Sequence, residues 1–472
     1  MRNIDKIYID GGFVTPRGFE TANLYNPSTE EKIGTVRLGA IEDAREAIAA
    51  AKRAFPAFSR TTKAARIEML QRLNAAVAAR VYDLTQAMAL EYGAPQTFTR
   101  FAIPHAASSF LTMAKVLEDY DFERQMGRAR VVMQPSGVAA AVTPWNSNIG
   151  FITSKLATAI AAGSTIVIKP SEMSAMQTQI LTECLHDADL PKGVFNIVNG
   201  LGNVVGAELG RHPDIAKVTF TGSTAVGREI LRNAADTFKR VTLELGGKGP
   251  NIILDDADLD VTIPAVLRMG FINSGQACIA GTRILVPKHQ LDDVLARLKQ
   301  EIATFKVGAP DDPDAMIGPM VSQKQYDRVQ SYIELGMQEG ARLLTGGLGR
   351  PAGLERGWFT KPTIFTDVNN QMRVAREEIF GPVLSVITYR DEDEAVFIAN
   401  DTPYGLQAYL HGTDVARMQA LADRLECGRV VVNGAPHEPL APFGGFKQSG
   451  IGREYGVFGL EAFLEPKAVI AS

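Results

Sequence analysis

The chain has 472 residues, and its 46% of hydrophobic and 22% of charged residues are ordinary for a folded soluble protein. This length exceeds what a single hydrophobic core usually supports, so we expect at least two domains. The net charge of −4 gives no reason to expect nucleic acid as a partner. The charged start argues against a secretion signal, and no apolar run approaches the roughly 20 residues that a membrane-spanning helix needs.

The N-terminal part is predicted to be helical. Apolar side chains recur at helical spacing in residues 42–58 and 63–91, which predicts two amphipathic helices. A polar stretch follows at 119–135. It contains the turn-like pair Met126-Gly127 and predicts a protruding hairpin.

Short apolar strands then alternate with helices, first between Gly137 and Leu245 and again after Pro250. The strands are predicted at 138–143, 164–168, 194–198, 216–220, 241–245, 251–254, 283–287, 383–388, 407–411 and 429–433. The helices are predicted at 150–162, 174–187, 203–210, 224–235, 258–274, 289–304, 322–339, 391–399 and 414–426. This alternation predicts an α/β fold with two doubly wound α/β domains, and the glycine-rich stretch 345–358 is predicted to be a surface loop.

Two polar motifs follow predicted strands, where a doubly wound sheet binds its ligands. Gly222 and Ser223 end one strand and open a helix, whose N-terminus can bind a phosphate, although the usual GxGxxG fingerprint is absent. Lys169 and Glu172 end another strand and either contact ribose hydroxyls or belong to a solvated loop. Each motif alone is also compatible with an ordinary strand-to-helix turn.

Two further side chains suit chemistry at a strand end. The side-chain amide of Asn146 either donates to a developing oxyanion or belongs to an ordinary turn. Glu244 interrupts an apolar strand, and a buried carboxylate there is either paired or has the raised pKa of a general base.

The chain has three cysteines, with no CxxC pair, and six histidines, with no HExxH motif, so neither a disulfide framework nor a metal site is expected. This pattern favours a reducing cytoplasm. Cys278 follows a glycine-containing break after a predicted helix, where a thiol is either presented as a nucleophile or packed as a small hydrophobe. Cys184 and Cys427 are predicted to be structural.

Together and in this order, these segments resemble the NAD(P)-dependent aldehyde dehydrogenase superfamily from about residue 10 to the C-terminus. The motifs are TPWN (143–146), IKPSE (168–172), FTGS (220–223), ELGGK (244–248), GQAC (275–278), EEIFGPV (377–383) and PFGGFKQSGIGRE (442–454). The resemblance implies oxidation of an aldehyde to an acid with NAD, or with NADP, and with water.

The resemblance also implies catalytic roles. Cys278 is expected to be the nucleophile, which forms a thiohemiacetal and then a thioester. The Asn146 side chain and the Cys278 backbone N–H are expected to form the oxyanion hole. Glu244 is expected to be the general base, and Lys169 is counted with both the catalytic and the cofactor-binding residues.

The cofactor roles implied by the resemblance extend over most of the chain. Lys169 and Glu172 match contacts to the adenosine ribose, and Ser223 beside Gly222 matches a pyrophosphate contact. Glu378 and Phe380 match the residues that hold the nicotinamide ribose and ring, and Trp145 is placed with these cofactor contacts.

The substrate positions of the family fall at Ser147, Phe151, Ser154, His437 and Phe443. Ser147 and Ser154 are small where relatives often have large aromatic residues, which predicts a wide and polar site. His437 either hydrogen-bonds a substrate oxygen or packs.

The predicted organisation is a dinucleotide-binding domain at 1–118 and 136–245 and a catalytic domain at 246–440. Segments 119–135 and 455–472 are predicted to form an oligomerisation arm that joins a homodimer or homotetramer. Two other hypotheses remain, an acyl transferase that uses coenzyme A and a non-catalytic member. The first kind lacks the glutamate of ELGGK and the second tends to lose the Cys or the Glu, whereas this chain has both.

Overall fold

The fold was analysed in a computed structural model that describes residues 2–471. In its N-terminal half the elements are β1 (Arg2–Ile4), β2 (Ile7–Ile9), β3 (Gly12–Val14), β4 (Thr21–Tyr25), β5 (Lys32–Arg37), α1 (Ile41–Phe58), α2 (Lys63–Ala78), α3 (Val81–Tyr92), α4 (Gln96–Asp119), β6 (Glu123–Met126), β7 (Ala129–Pro135), β8 (Ala139–Val142), α5 (Asn148–Ala162), β9 (Ile166–Lys169), α6 (Ala175–Asp187), β10 (Phe195–Ile197), α7 (Ala207–Arg211), β11 (Lys217–Thr221), α8 (Thr224–Ala235) and β12 (Arg240–Glu244).

In the C-terminal half the elements are β13 (Pro250–Ile253), α9 (Leu259–Gly270), β14 (Arg283–Pro287), α10 (Leu291–Glu301), α11 (Gln323–Gln338), β15 (Arg342–Thr345), β16 (Thr363–Thr366), α12 (Arg373–Arg376), β17 (Val383–Tyr389), α13 (Glu392–Asn400), β18 (Gln407–His411), α14 (Val415–Ala422), β19 (Arg429–Val432), β20 (Gly450–Ile451), α15 (Gly456–Glu461) and β21 (Leu464–Ile470).

Two large sheets organise these elements, and they confirm the predicted α/β class. The first has the strand order β20-β12-β11-β8-β9-β10-β2-β3, and its five central strands are parallel. The second has the order β15-β16-β17-β14-β13-β18-β19 and is parallel except for β15. The antiparallel edge strands were not predicted, because they are short and lie outside the regular alternation.

Both faces of each sheet are covered, which explains why the central strands are continuous apolar runs. In the first sheet, Ile166 and Ile168 pack into one apolar cluster, whereas the intervening Val167 packs into the cluster on the opposite face. In the second sheet, Ile252 and Ile253 likewise belong to clusters on opposite faces. Parallel strands of this kind bring their carboxyl ends, and the motifs that follow them, to one edge.

Some predicted boundaries were wrong. The segment 63–91 is two helices, because Arg80 leaves the helical conformation (φ −115°, ψ 19°) and separates α2 from α3. Helix α4 was not predicted, and neither were the short strands β1–β5, β15 and β16. The helix predicted at 258–274 ends at Gly270, because the chain enters a left-handed turn at Asn273.

The predicted hairpin is present as β6 and β7, with a turn at Gly127 that has a φ of 59°. Strand β21 pairs antiparallel with β7 from Leu464↔Pro135 to Ile470↔Ala129 and completes a three-stranded sheet. The segments predicted to form the arm therefore meet, except that Ser472 lies outside the described residues. Within residues 2–471, no helix has the length and apolar character needed to cross a bilayer.

Candidate active site

A cleft of about 510 Å³ lies beyond the carboxyl ends of β8, β11 and β12, and helix α11 contributes to its far wall. The structure brings nine of the predicted site residues to its lining. They are Trp145, Asn146, Phe151, Gly222, Ser223, Glu244, Cys278, Glu378 and Phe380. These residues lie as far apart as 145 and 380 in the sequence, and the sheet edge brings their separate motifs together.

The turn before the candidate nucleophile is strained. Asn273 (φ 52°), Ser274 (φ 60°) and Gly275 (φ 72°) are consecutive left-handed residues, a conformation that only glycine adopts without cost. The turn is held by Ser274 Oγ, which accepts from the N–H of Gly318 at 2.8 Å. A Cβ at Gly275 would lie 2.3 Å from the backbone of Gly381, so only glycine fits there. Such strain is typical of a functional site.

Asn146 is fixed beside this turn. The side-chain Nδ2 of Asn146 donates to the backbone carbonyl of Gln276 at 2.9 Å. The backbone carbonyl of Asn146 accepts from Asn273 Nδ2 at 2.9 Å. Gln276 is itself anchored, since its Oε1 accepts from the N–H of Val321 at 3.0 Å. One N–H of the Asn146 amide is therefore engaged, and the second remains available to a substrate oxygen.

Cys278 is half-buried and lines the cleft, unlike the fully buried Cys184. Burial, with the nearby charges of Glu378 and Glu244, raises the pKa of the Cys278 thiol to about 12. The thiol is therefore protonated at neutral pH and needs a base to become a nucleophile. Cys427 does not line this cleft, and its Sγ donates to the carbonyl of Arg429 at 3.2 Å.

Glu244 ends β12, where both oxygens of its buried carboxylate lack a hydrogen-bond partner among the described residues. Burial raises the pKa of Glu244 well above its usual value, and the negative charge of Glu454 raises it further. Lys155 and Arg453 act in the opposite direction. A carboxyl group with a raised pKa and free oxygens suits proton transfer near neutrality.

An ion pair that was not predicted from the sequence lies behind Glu244. Lys155 Nζ donates to Glu454 Oε1 in a largely buried pair, and Thr219 Oγ1 donates to the same oxygen at 2.9 Å. The only sequence signal was a lysine inside the apolar helix α5, because its partner Glu454 lies 299 residues away.

The far wall of the cleft carries Glu378 and Phe380. Glu378 Oε1 accepts from the N–H of Gly247 at 2.9 Å, and burial raises the pKa of this carboxyl group. Phe380 has a left-handed backbone (φ 63°), and its ring meets that of Trp145 edge to face at 5.4 Å. Arg328 of α11, also missed by the sequence analysis, donates to the Glu378 carbonyl at 2.5 Å.

Lys169 and Glu172 lie outside the main cleft. Burial lowers the pKa of Lys169, whose Nζ donates to Glu172 Oε2 at 3.2 Å. Glu172 lines a second cleft of about 750 Å³ that shares Trp145 and Arg328 with the first. The two clefts therefore adjoin at these shared side chains.

The loop into α8 carries Gly222 and Ser223, the residues of the phosphate-binding prediction. A Cβ at Gly222 would lie 2.4 Å from the ring of Phe220, so the turn has no room for a side chain. The Ser223 hydroxyl accepts from the N–H of Val226 at 3.4 Å as a helix cap and keeps its own proton to donate. The buried Thr221 Oγ1 has no partner among the described residues and also belongs to this lining.

The predicted substrate positions are dispersed. Phe151 lines the main cleft, but Ser154 lines a separate cavity of about 10 Å³, and its hydroxyl donates to the Phe151 carbonyl at 3.3 Å. Ser147 precedes α5 and is half-buried without being part of the main lining. His437 and Phe443 pack on either side of Tyr455, at ring distances of 5.7 and 5.6 Å.

Comparison with known proteins places this site in a family. Residues 13–469 match the profile of the aldehyde dehydrogenase family. The chain is 46% identical to a 3-succinoylsemialdehyde-pyridine dehydrogenase of a Pseudomonas species, over 100% of this chain and 99% of that protein.

Solved structures agree. A mutant of aldehyde dehydrogenase C from Pseudomonas syringae, in complex with NAD+ and octanal, superposes with a TM-score of 0.97 at 43% identity, over 99% of this chain and 96% of that chain. An aldehyde dehydrogenase of Mycobacterium tuberculosis in complex with NAD+ gives a TM-score of 0.96 at 38% identity, over 100% and 98%. The chain therefore belongs to the aldehyde dehydrogenase family and, as the motifs predicted, is an enzyme that oxidises aldehydes to carboxylic acids.

Proposed function

We propose that this enzyme is an NAD-dependent, hydrolytic aldehyde dehydrogenase in which Cys278 is the nucleophile and Glu244 is the base. The observation that carries the proposal is the pairing, in one cleft, of a protonated thiol with a buried carboxylate whose oxygens are unpartnered. A thiol with a raised pKa needs a proton acceptor, and Glu244 is the carboxylate of this cleft whose two oxygens both lack a partner within residues 2–471.

The residues act in sequence. Glu244 takes the thiol proton, and the Cys278 sulfur attacks the aldehyde carbon while Asn146 Nδ2 and the Cys278 backbone N–H donate to the oxygen. A hydride then leaves the carbon and a thioester remains on Cys278. Glu244 releases the thiol proton to solvent and, as a carboxylate again, takes a proton from the water that attacks the thioester. The C–S bond then breaks, the acid leaves, and Glu244 returns its proton to the sulfur of Cys278. When bound, NAD+ supplies the hydride acceptor.

The cofactor is proposed to lie along both clefts. Glu172 and Lys169 would hold the adenosine ribose, Gly222 and Ser223 the pyrophosphate, and Glu378 with Phe380 the nicotinamide end near Trp145. A carboxylate at Glu172 suits a free 2′-hydroxyl and repels a 2′-phosphate, which favours NAD over NADP. The NAD+ complexes of the two structural relatives support this choice.

The wider organisation is also a proposal. Residues 1–118 with 136–245 would bind the dinucleotide, 246–440 would carry catalysis, and the sheet of β6, β7 and β21 would join subunits of a cytoplasmic homodimer or homotetramer. All four residues of β6 are exposed, and such a strand has an edge free to pair with another chain.

The substrate is proposed to be larger or more oxygenated than acetaldehyde. The names of two relatives, one acting on a succinoyl semialdehyde of pyridine and one complexed with octanal, support a site for long aldehydes. The small residues Ser147 and Ser154, which suggested a wide site in the sequence, do not line the main cleft and so add no support.

Glu244→Gln tests the hydrolytic step. The variant keeps the size of the side chain but removes the base, so we expect a burst of about one NADH per active site and then slow turnover, provided that the thiol ionises by another route. Glu355→Gln, an exposed carboxylate on a surface loop, is the matched control and should show normal turnover. Normal turnover in Glu244→Gln, or a requirement of the wild-type enzyme for coenzyme A, would refute the proposal.

A further inference from the structure

Arg429 is a half-buried cation close to the predicted substrate positions. It begins β19, with its Cα opposite that of Gln407 on β18. Within residues 2–471 its guanidinium forms no ion pair with a carboxylate, and its hydrogen-bond partner is Nδ1 of His437 at 2.8 Å. A competing carboxylate, Glu438, is held by its own loop, since its Oε1 accepts from the N–H of Leu440 at 2.9 Å.

His437 is neutral in this arrangement. Burial first, and then the charge of Arg429, lowers the pKa of His437 to about 4. A neutral ring whose Nδ1 accepts from Arg429 carries its proton on Nε2, which makes Nε2 a donor. The pair thus presents N–H groups and no acceptor, so a ligand that supplies acceptors matches it.

A row of rings connects this pair to the surface and to the interior. Phe101 stacks on His105 at 5.4 Å, His105 meets His437 at 5.2 Å, and Tyr455 then lies between His437 and Phe443. Phe101 is 61% exposed and Phe443 is 9% exposed, so the row runs inward. We call these five residues the aromatic row.

The inner end of the row reaches the catalytic groups. Gly444 follows Phe443, and a Cβ built there would lie 2.8 Å from Glu244 Oε1. On the other side, Gln407 Nε2 donates to the Tyr409 hydroxyl, which donates to the carbonyl of Ile279, the residue after Cys278. Arg429 therefore lies one strand away from the backbone that carries the nucleophile.

We propose that Arg429 and His437 bind an oxygen acceptor at the end of the substrate remote from its aldehyde, and that this makes ω-carboxylated aldehydes the preferred substrates. A carboxylate is favoured over a neutral carbonyl because the guanidinium has no anionic partner and because paired N–H donors match two carboxylate oxygens. This inference rests on the proposed function, since it concerns the remote end of the aldehyde that Cys278 attacks.

Three aldehydes of equal chain length test the assignment: one that ends in a carboxylate, its methyl ester and one that ends in a methyl group. For Arg429→Gln we expect kcat/KM for the carboxylate to fall about 10-fold or more, mainly through KM, because a charged hydrogen bond is lost. The ester should lose less, and the methyl-terminated aldehyde should be unaffected. Arg429→Lys should partly restore the carboxylate preference, because it retains the charge.

Arg424→Gln is the matched control, since Arg424 is an exposed arginine nearby that pairs with Asp393. In this variant kcat/KM for each of the three aldehydes should stay at the wild-type value. An equal fall for all three aldehydes in Arg429→Gln would mean that the pair only supports its loop and would overturn the proposal. Wild-type kcat/KM values for all three aldehydes in Arg429→Gln would overturn it as well. Failure of the wild-type enzyme with every aldehyde would instead refute the proposed function.

Discussion

Gly246→Ala would displace Glu378 with little damage to the fold. A Cβ at Gly246 would lie 2.5 Å from Oε2 of Glu378 and 2.9 Å from its Cδ. The obstacle is the end of a flexible side chain, so the carboxylate can move by about 0.9 Å to reach an ordinary contact of 3.4 Å. That movement stretches the 2.9 Å hydrogen bond from the N–H of Gly247 to Glu378 Oε1.

The magnitude follows from the hydrogen bond that the displaced carboxylate is proposed to make with the nicotinamide ribose. A hydrogen bond to a charged group contributes about 1.5–3 kcal/mol, and for a half-buried carboxylate we take the lower end, which corresponds to a roughly 10-fold change in affinity. Because Glu378 is proposed to hold the nicotinamide ribose, NAD+ should bind about 10-fold more weakly to Gly246→Ala. Calorimetric titration with NAD+ measures this dissociation constant directly.

Two comparisons make the prediction specific. Gly206→Ala adds a methyl group where nothing lies within 4 Å and the backbone is helical, so NAD+ affinity should not change. In a Glu378→Ala background, Gly246→Ala should have no further effect on NAD+ affinity, because the displaced group is gone. Unaltered NAD+ binding in the folded Gly246→Ala single variant, or additive losses in the double variant, would refute the reasoning.

Three other variants probe neighbouring groups. Asn146→Ala should lower kcat by ~100- to 1000-fold with a smaller change in KM, because it removes a donor to charge that develops during reaction, and steady-state kinetics that show only a KM effect would contradict this role. Glu172→Gln should narrow the preference for NAD over NADP, measured as kcat/KM with NAD divided by kcat/KM with NADP. Equal kcat/KM values for the two cofactors in the wild-type enzyme would contradict the role of Glu172. Glu454→Gln removes a negative charge that raises the pKa of Glu244, so that pKa should fall and Glu244 should remain a carboxylate to lower pH. The acid limb of the pH–kcat profile should therefore move to lower pH, and a move to higher pH would show that the sign is wrong.

The sequence alone identified the family, the α/β class and residues that line the main cleft. Motifs such as ELGGK and GQAC are contiguous, so a residue and the turn that presents it are read together. Short apolar runs located most central strands for the same reason, since a strand buried on both faces is apolar along its whole length. The short edge strands and helix α4 were not predicted, because they are stabilised by pairing and packing with distant segments and have no clear local pattern in the sequence.

Tertiary structure alone decided the electrostatics and the neighbours of these residues. The ionisation of Glu244 depends on Glu454, which is more than 200 residues away in the sequence and is brought close by the C-terminal segment that pairs with β12. The sequence does not show that the guanidinium of Arg429 donates to His437 rather than to a carboxylate, and only the folded chain shows it. Spacing along a chain reports what one element can present, whereas a pKa or an unpaired charge depends on every group that folding brings within a few ångströms.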